Sequence, residues 1–410
     1  MQSIDIEDVE LYNSIKKLQQ NGCAFQYLDN KQYNGRLLSI NNKKLINFAN
    51  CCYLGLEKHP MLIKAAIKSI EKFGTQNSTS RGLFSSSLYA EIEVLLKKIF
   101  SGFPVVYAST TLAHYSALPT LVGERDAIIL DGYVHNSIRM ASEVCKANGT
   151  FVLISKHNDF EHLRYLIKRL KKEGYKKIWY CADGVYSFHG DFCNIPELHK
   201  LLDEEENFYA YVDDAHGIGW CGKHGSGYVI GNYGLHEKMI VIGSLSKSIA
   251  ASGGFLIVPD KKVADILTLT AHSLIFSIPM APAALGTVVA SLKLHISNEI
   301  IQYQNELAEL IQYFKLKSQE YELPFYTKDF SPIQLLRIDS NHHVINAQKN
   351  LINKGFLSST AAFPAVKKGE EGLRISITRH ITKKDIDRYL KAIKDEIKIE
   401  NKTPKIYVTQ

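Results

Sequence analysis

Lys247 is the residue of this sequence whose type and surroundings are best suited to covalent chemistry. It follows the apolar run Met239–Ile242 and stands in Gly243–Phe255, a segment rich in glycine, serine and alanine. A strand that ends in such a turn can hold an amine in a partly dry pocket, where its pKa falls and it can attack an aldehyde. The opposing interpretation is a solvated loop lysine, because most lysines are exposed.

A second motif, Val212–Gly217, lies upstream and contains Asp213, Asp214 and His216. An apolar run precedes Asp213, and a carboxylate at that point can pair with a protonated pyridine nitrogen, which keeps the ring an electron sink. A metal site is the alternative, but no further ligand cluster accompanies these residues, so we expect none. Together with Lys247, Asp213 predicts a pyridoxal 5'-phosphate site.

Three further segments carry suitable side chains after predicted strands. Thr110 and Thr111 open a predicted helix, whose N-terminal amides and hydroxyls can bind a phosphate, although helix capping explains them equally well. His135 can stack on a pyridine ring or simply cap a helix. Ser187 lies in a glycine-containing segment that an ordinary turn also explains.

The elements that must position these residues follow a βα pattern. Apolar, β-branched runs alternate with amphipathic stretches, which predicts an α/β fold with a mainly parallel sheet covered on both faces. Ligands of such sheets bind outside the carboxyl ends of the strands. All the motifs above come directly after strands. The seven predicted strands are 105–107, 127–130, 151–154, 177–180, 208–212, 239–242 and 255–258.

The pattern of predicted elements changes near residue 290, where a long helical stretch is followed by shorter strands and a terminal helix. This change predicts a second, smaller α+β domain. The predicted divisions are an N-terminal segment (1–45), a large cofactor-binding domain (46–290), a small C-terminal domain (291–400) and a tail (401–410).

Composition excludes several classes of function. The 410 residues include 49 Lys and Arg against 42 Asp and Glu, and the lysines are dispersed, so we expect no nucleic-acid partner. The acidic N-terminus does not resemble a signal peptide, and no apolar run approaches the ~18 residues of a transmembrane segment. The odd count of seven cysteines, without paired ligand motifs, indicates reduced thiols in a cytoplasmic enzyme.

Six motifs taken together resemble the α-oxoamine synthases, the pyridoxal-phosphate group that includes 8-amino-7-oxononanoate synthase, serine palmitoyltransferase, aminoketobutyrate ligase and 5-aminolaevulinate synthase. The resemblance covers most of the chain, from about Leu45 to Ile393. It implies an aspartate-aminotransferase-like fold, fold type I, and a homodimer with the active site between subunits. The six motifs are Tyr53–Leu56, Asp131–His135, Asp183–Ser187, Val212–Gly217, Gly243–Lys247 and Gly372–Ser376.

The resemblance also implies catalytic roles. Lys247 would form the Schiff base with the cofactor, and Asp213 would pair with the pyridinium nitrogen. His135 would stack on the ring and assist the acyl step. Ser187 and His216 would contact the side of the ring that bears the hydroxyl group.

Phosphate and substrate contacts are implied in the same way. Ser244 would hold the phosphate with Thr110 and Thr111, and Ser277 would reach the phosphate of a neighbouring subunit. Arg374 would bind the carboxylate of the amino acid through a bidentate pair.

The reaction implied by the resemblance joins an amino acid to an acyl thioester of coenzyme A or of a carrier protein. Loss of carbon dioxide then gives an α-aminoketone, with Lys247 carrying the proton. An aminotransferase of the same fold and a non-catalytic subunit of a synthase are the alternatives. Because Lys247, Asp213 and His135 are all present, the sequence argues against the non-catalytic subunit.

The substrate-binding motifs depart from the usual family pattern. Cys51 stands two residues before Tyr53, where many relatives have an asparagine that helps to bind the substrate carboxylate. Gly74–Gly82 and Thr110–Thr111 replace segments that are usually richer in glycine. These departures do not affect the prediction of the cofactor, but they leave the identity of the substrate open. They favour an enzyme that makes a lipid, a signal molecule or a specialised metabolite.

Overall fold

The computed structural model describes residues 9–29, 33–338, 340–363 and 366–402, so the predicted tail lies outside the described residues from position 403. The strands in chain order are β1 (Leu37–Ile40), β2 (Lys43–Asn47), β3 (Phe103–Tyr107), β4 (Ala127–Leu130), β5 (Phe151–Ile154), β6 (Ile178–Asp183), β7 (Phe208–Asp213), β8 (Met239–Ser244), β9 (Gly254–Val258), β10 (Ile333–Arg337), β11 (Phe356–Leu357), β12 (Ser359–Ala361) and β13 (Gly372–Ser376).

None of the described helices is long and apolar enough to span a lipid bilayer. The helices in chain order are α1 (Val9–Gln20), α2 (Pro60–Phe73), α3 (Ser87–Ile99), α4 (Thr110–Leu121), α5 (Asn136–Ala147), α6 (Phe160–Lys172), α7 (Ile195–Glu204), α8 (Val229–Tyr233), α9 (Lys261–Thr270), α10 (His272–Ile275), α11 (Pro282–Ile296), α12 (Glu299–Glu320), α13 (Asn341–Asn353) and α14 (Lys383–Lys402).

The described chain divides into two compact units. The larger unit comprises Leu54–Ser187 and Asp191–Asn305. The smaller unit comprises the described residues up to Tyr53, the short segment Phe188–Gly190 and the described residues from Glu306 onward. The domain limits drawn from the sequence stay predictions.

A seven-stranded sheet forms the centre of the larger unit, with the strand order β3-β9-β8-β7-β6-β4-β5 among the described residues. The neighbours from β5 to β8 pair in parallel, whereas β9 lies antiparallel between β3 and β8. Strands β6, β8 and β9 are buried along their whole length, as expected for a sheet covered on both faces. The predicted α/β fold with a mainly parallel sheet is confirmed.

Helices α4 and α5 begin directly after strands of this sheet, because a side chain caps each of them. The hydroxyl of Ser109 accepts a hydrogen bond from the Leu112 amide at 3.1 Å, so Ser109 rather than Thr110 is the cap of α4. Nδ1 of His135 accepts from the Ser137 amide at 3.3 Å and caps α5. Both caps satisfy an N–H group that has no partner within the helix.

The smaller unit contains two short sheets and the C-terminal helix. Strands β10, β13 and β12 pair antiparallel, and β2 joins β1 to β11. The ring of Tyr389, from α14, stacks on Phe48 with the centroids 4.2 Å apart, and both side chains are fully buried. This stacking fixes α14 on the segment that follows β2.

Gly254 permits a close approach between β9 and the start of α4. A Cβ atom at this position would lie 2.6 Å from the backbone nitrogen of Thr110. We expect Gly254→Ala to destabilise the fold by about 1–3 kcal/mol, because backbone atoms must move to make room. Urea unfolding of the cofactor-free protein measures this loss.

Gly123→Ala is the matched control, because its nearest neighbour would be an Asp126 carboxylate oxygen at an ordinary 3.5 Å. Equal stabilities for the two variants would contradict the close approach at Gly254.

Candidate active site

The carboxyl ends of the central strands bring several of the predicted residues side by side. Asp183, at the end of β6, is paired in register with Asp213, at the end of β7. Asp213 is paired in turn with Ile242 of β8, and Ser244 ends that strand opposite Gly254. The candidate site therefore rests on adjacent, buried strands, which hold its side chains more rigidly than loops can.

Asp213 is a buried carboxylate that keeps its charge. Oδ2 lies 3.0 Å from Nε2 of His114, and Oδ1 accepts a hydrogen bond from the Ala215 amide at 2.9 Å. Burial raises the pKa of Asp213, but the hydrogen bond and charge of His114, with the charge of Lys247, outweigh it and hold the pKa well below its ordinary value. Asp213 is therefore ionised at neutral pH and suited to bind a cation.

His114 belongs to this site, although the sequence analysis did not identify it. It lies on α4 with no exposed surface, and its Nδ1 is 3.0 Å from the hydroxyl of Tyr211 on β7. Because a carboxylate can only accept, Nε2 of His114 must carry the proton shared with Asp213. His114 lies four residues, about one helical turn, after Thr110, the first residue of α4. This helical spacing is the feature of the sequence from which His114 could have been found.

Lys247 lies half-buried in the turn between β8 and β9. Its carbonyl accepts from the Ala250 amide at 2.9 Å, and the Leu245 amide donates to the Gly253 carbonyl at 3.0 Å, which closes the turn. Ala250 has a φ of 58°, a left-handed conformation that costs a non-glycine residue of order 1 kcal/mol. The charge of Lys247 lowers the pKa of both Asp213 and His135, so its amine lies within electrostatic reach of these two groups.

His135 is held at the site through its backbone. Its amide donates to Oδ1 of Asp183 at 3.0 Å, and its Nδ1 lies 2.6 Å from the Ser137 hydroxyl. Burial lowers the pKa of His135, and the positive charges of Lys247 and His114 lower it further against the attraction of Asp213. The imidazole of His135 is therefore neutral at pH 7 and can both donate and accept hydrogen bonds.

Thr110 and Ser244 lie near each other, on either side of Gly254. Ser244 pairs with Gly254, and the missing side chain of Gly254 leaves the Thr110 amide in close contact with that strand. Thr110 is half-buried and Thr111 is exposed at the start of α4, while the hydroxyls of Ser244 and Ser246 lie 3.0 Å apart. Hydroxyls beside a helix N-terminus form a group that suits a phosphate.

The remaining cofactor residues occupy the places that the sequence predicted for them, but their contacts with a cofactor stay predictions. Ser187 is half-buried after β6 and His216 is buried after β7, where its carbonyl accepts from the Trp220 indole at 2.6 Å. Ser277 is half-buried in the segment after α10. Among the described residues, no group of three or more potential ligands could hold a metal ion.

Arg374 and Cys51 lie together in the smaller unit. Arg374, on β13, is buried, and its Nη1 donates to the Ser376 hydroxyl at 2.9 Å. Its Nη2 lies 3.7 Å from the sulfur of Cys51. The structure thus joins two residues that the sequence analysis assigned separately to the substrate carboxylate.

Comparison with known proteins identifies the family. The family model for class I and II aminotransferases matches residues 43–393. A putative 8-amino-7-oxononanoate synthase of Thermodesulfovibrio yellowstonii is 32% identical over 91% of this chain and 94% of its own length. A serine palmitoyltransferase of Sphingobacterium spiritivorum is 30% identical over 93% of this chain and 94% of its own length.

The chain belongs to the α-oxoamine synthase group of the class I and II aminotransferase family. This membership confirms the predicted class of enzyme, a pyridoxal-phosphate-dependent acyltransferase. The fold agrees with solved structures. Sphingomonas wittichii serine palmitoyltransferase matches with a TM-score of 0.86 and 23% identity, covering 98% of this chain and 100% of that one. A serine palmitoyltransferase solved with its pyridoxal phosphate as the internal aldimine has a TM-score of 0.87, with 23% identity over 96% and 98% of the two chains.

The residues of the larger unit fit pyridoxal phosphate. Asp213 is an ionised carboxylate of the kind that suits a protonated pyridine nitrogen, and the positive charge of Lys247 acts on it. The hydroxyls of Thr110 and Ser244, beside a helix N-terminus, suit a phosphate. The pyridinium nitrogen, which is positive, would meet a carboxylate, and the phosphate, which is negative, would meet hydrogen-bond donors at a helix N-terminus.

His114→Leu should weaken the folded, cofactor-free protein by about 3–5 kcal/mol, because it leaves the buried carboxylate of Asp213 without its imidazole partner. Urea unfolding at pH 7 measures the change. Tyr211→Phe, which removes only the outer hydrogen bond to His114, should cost about 0.5–1.5 kcal/mol. A His114→Leu variant no less stable than Tyr211→Phe would contradict the role given to His114.

Proposed function

We propose that this protein condenses an amino acid with an acyl thioester of coenzyme A or of an acyl-carrier protein, with loss of carbon dioxide, to form an α-aminoketone. The observation that carries the proposal is the cluster of the buried Asp213 with the half-buried Lys247 and His135 at the carboxyl edge of the sheet, in a chain of the α-oxoamine synthase group. The relatives named as 8-amino-7-oxononanoate synthase and serine palmitoyltransferase support this class of reaction.

Three side chains of the larger unit divide the catalytic work. The cofactor, when bound, supplies an electron sink for the charge that develops at the α-carbon of the amino acid. Asp213 binds the pyridine N–H through its ionised carboxylate. Lys247 holds the cofactor through Nζ, and after release it takes the α-proton of the amino acid. His135, being neutral, packs on the ring and donates a hydrogen bond to the acyl oxygen.

The other predicted residues bind the cofactor in this proposal. Ser187 and His216 contact the side of the ring that bears the hydroxyl. Thr110, Thr111 and Ser244 hold the phosphate through hydroxyls and the α4 amides, which the geometry at Gly254 supports.

In our proposal Arg374 binds the substrate carboxylate, and Cys51, beside Arg374, affects how strongly that carboxylate is held. The guanidinium of Arg374 is a planar fork of donors that matches a carboxylate, and it lies beside the Ser376 hydroxyl and the Cys51 sulfur. A sulfur atom is a weaker hydrogen-bonding group than the amide usual in the family, so the carboxylate depends more on Arg374 here.

Two other functions remain as alternatives. An aminotransferase would use the same residues, because the protein decides whether the α-carbon receives a proton or an acyl group. A non-catalytic subunit would need none of them, and the paired Lys247, Asp213 and His114 argue against it.

We also propose that the protein is a homodimer. The segment around Leu83 lies beside the segment around Phe276, because the Ser80 hydroxyl donates to the Ile275 carbonyl at 2.5 Å. These two segments expose large apolar side chains, with Leu83 77% and Phe276 80% accessible. Such surface is usually covered by a partner, and Ser277 stands within it, as a residue that reaches the neighbouring subunit should.

The cytoplasm is the compartment we propose. None of the seven cysteines forms a disulfide bond, and Cys52, Cys145, Cys181 and Cys193 are buried. Cysteines without disulfide bonds are typical of proteins in a reducing compartment.

With pyridoxal phosphate, its amino acid and an acyl thioester, the parent protein should release carbon dioxide and the thiol of the acyl donor in equal amounts. Amino acids that shift the absorption of the bound cofactor identify the first substrate, and acyl thioesters of increasing chain length then identify the second. Lys247→Ala should lose this activity by several orders of magnitude. Lys261→Ala, which removes an exposed lysine of α9, is the control.

Keto-acid formation without release of the donor thiol would establish the aminotransferase instead. A parent that binds no cofactor would support the non-catalytic subunit.

Phe276→Ser and Leu83→Ser should convert the dimer into monomers, because each removes apolar surface from the proposed interface. Analytical ultracentrifugation measures the change. Leu269→Ser is the matched control, since Leu269 is 73% accessible on α9, outside the proposed surface. A monomeric parent, or identical masses for all variants, would refute this interface.

A further inference from the structure

His157 lies between two carboxylates of the larger unit. Its Nδ1 is 2.8 Å from Oδ1 of Asp131, and its Nε2 is 2.7 Å from Oδ2 of Asp191. A neutral imidazole carries one N–H only, whereas an ionised carboxylate only accepts. Both short contacts therefore require the doubly protonated, positively charged ring.

The surroundings support this charge state. Burial lowers the pKa of His157, but the hydrogen bonds and charges of the two carboxylates outweigh it and raise the pKa to about 9. The rings of Tyr133 and Tyr186 cover the imidazole at centroid distances of 4.1 and 4.4 Å. His157 thus stays protonated throughout the neutral range.

The three residues come from three consecutive strand ends. Asp131 follows β4 and begins the loop that carries His135, while Asp191 belongs to the loop after β6 that carries Ser187. The Tyr186 amide donates to the Asp191 carbonyl at 2.9 Å, which closes that second loop. His157 itself follows β5, so one imidazole joins the loops at two neighbouring strands.

The two carboxylates are held very differently. Asp131 is fully buried and also accepts from the Tyr133 amide at 2.7 Å, the Asn158 amide at 2.9 Å and the Tyr180 hydroxyl at 3.0 Å. Asp191 has a side chain that is 26% exposed, and its Oδ1 has no hydrogen-bond partner among the described residues. Asp191 is therefore the partner that separates first.

We propose that His157 is a positioning residue that ties the Ser187 loop to the His135 loop, and that loss of its proton releases the Ser187 loop. The proposal rests on the proposed cofactor contacts of Ser187 and His135. A neutral His157 keeps the proton on Nδ1 for Asp131 and turns the lone pair of Nε2 toward Asp191, where two acceptors then face each other.

Three titratable groups near His157 do not change charge in the same range. Burial holds the pKa of Tyr180, Tyr186 and Cys193 well above the ordinary values, so these groups stay neutral while His157 titrates. The groups that face the imidazole or stand behind Asp131 are Asp131, Tyr133, Tyr180, Tyr186, Asp191 and Cys193.

Asp191→Asn tests the proposal, because the side-chain amide that it introduces can donate to a neutral Nε2 and keep the bridge without a charge. Pyridoxamine 5'-phosphate is the probe, since it binds without a Schiff base to Lys247. Between pH 7 and pH 10 the affinity of the parent should fall about tenfold more than that of Asp191→Asn. Parallel pH dependences in the two proteins would overturn the proposal.

A second measurement reads His157 directly in the cofactor-free protein. With ¹³C-labelled histidine, the His157 resonance, assigned by its loss in His157→Gln, should titrate near pH 9 in the parent. In Asp191→Asn it should titrate at a lower pH, because one carboxylate is gone. Titration of the parent near the ordinary histidine value of about 6.5 would overturn the proposal.

These results separate this inference from the proposed function. A protein that binds no pyridoxamine phosphate at any pH refutes the cofactor roles, and the positioning role falls with them. Binding that is strong at pH 7 but equally pH-dependent in both proteins refutes His157 alone.

Discussion

The structure of the site depends on one buried ion, the carboxylate of Asp213. A carboxylate removed from water would normally take up a proton, because burial penalises the charged form. Here the imidazole of His114, at 3.0 Å, and the amine of Lys247 keep it ionised. The Tyr211 hydroxyl holds the other nitrogen of His114 at 3.0 Å. A chain of polar groups, each buried with its partner, thus presents one negative charge at the edge of the sheet.

The histidine side chains of the larger unit differ in charge, and the groups around each imidazole determine whether it is protonated. His135, half-buried and close to the positive charge of Lys247, is neutral. His157, between two carboxylates, is protonated. Burial lowers the pKa of His295 to about 4, although its hydrogen bond to the Ser291 carbonyl raises it. Burial, neighbouring carboxylates and neighbouring positive charges together determine the charge of each imidazole.

Much of the fold could be predicted from the sequence. All seven predicted strands occur, because each is a short apolar run between glycine-rich or polar segments, and their parallel order follows from the intervening helices. Strand β9 is the antiparallel member, which a run of apolar residues cannot reveal, since the direction of a strand depends on its connections. The short motifs predicted Lys247, Asp213 and His135 because each stands at the end of a strand or in the turn that follows one.

The partners of these residues could not be predicted in the same way. His114 is separated from Asp213 by almost a hundred positions, and its position one turn into α4 has no motif of its own. His157 contacts its two carboxylates only because three strand ends meet in the folded protein. The contact of Arg374 with Cys51 likewise joins distant segments. The role of such a side chain depends on contacts between segments that are distant in the sequence. Local sequence patterns do not contain this information.

The most direct test of the account is to identify the residue that bonds to the cofactor. The protein is reconstituted with pyridoxal phosphate, reduced with borohydride and digested, and the peptides are analysed by mass spectrometry. The account predicts a single modified site, at Lys247, because that amine lies within electrostatic reach of the ionised Asp213. Modification of another lysine, or none after reconstitution, would contradict it.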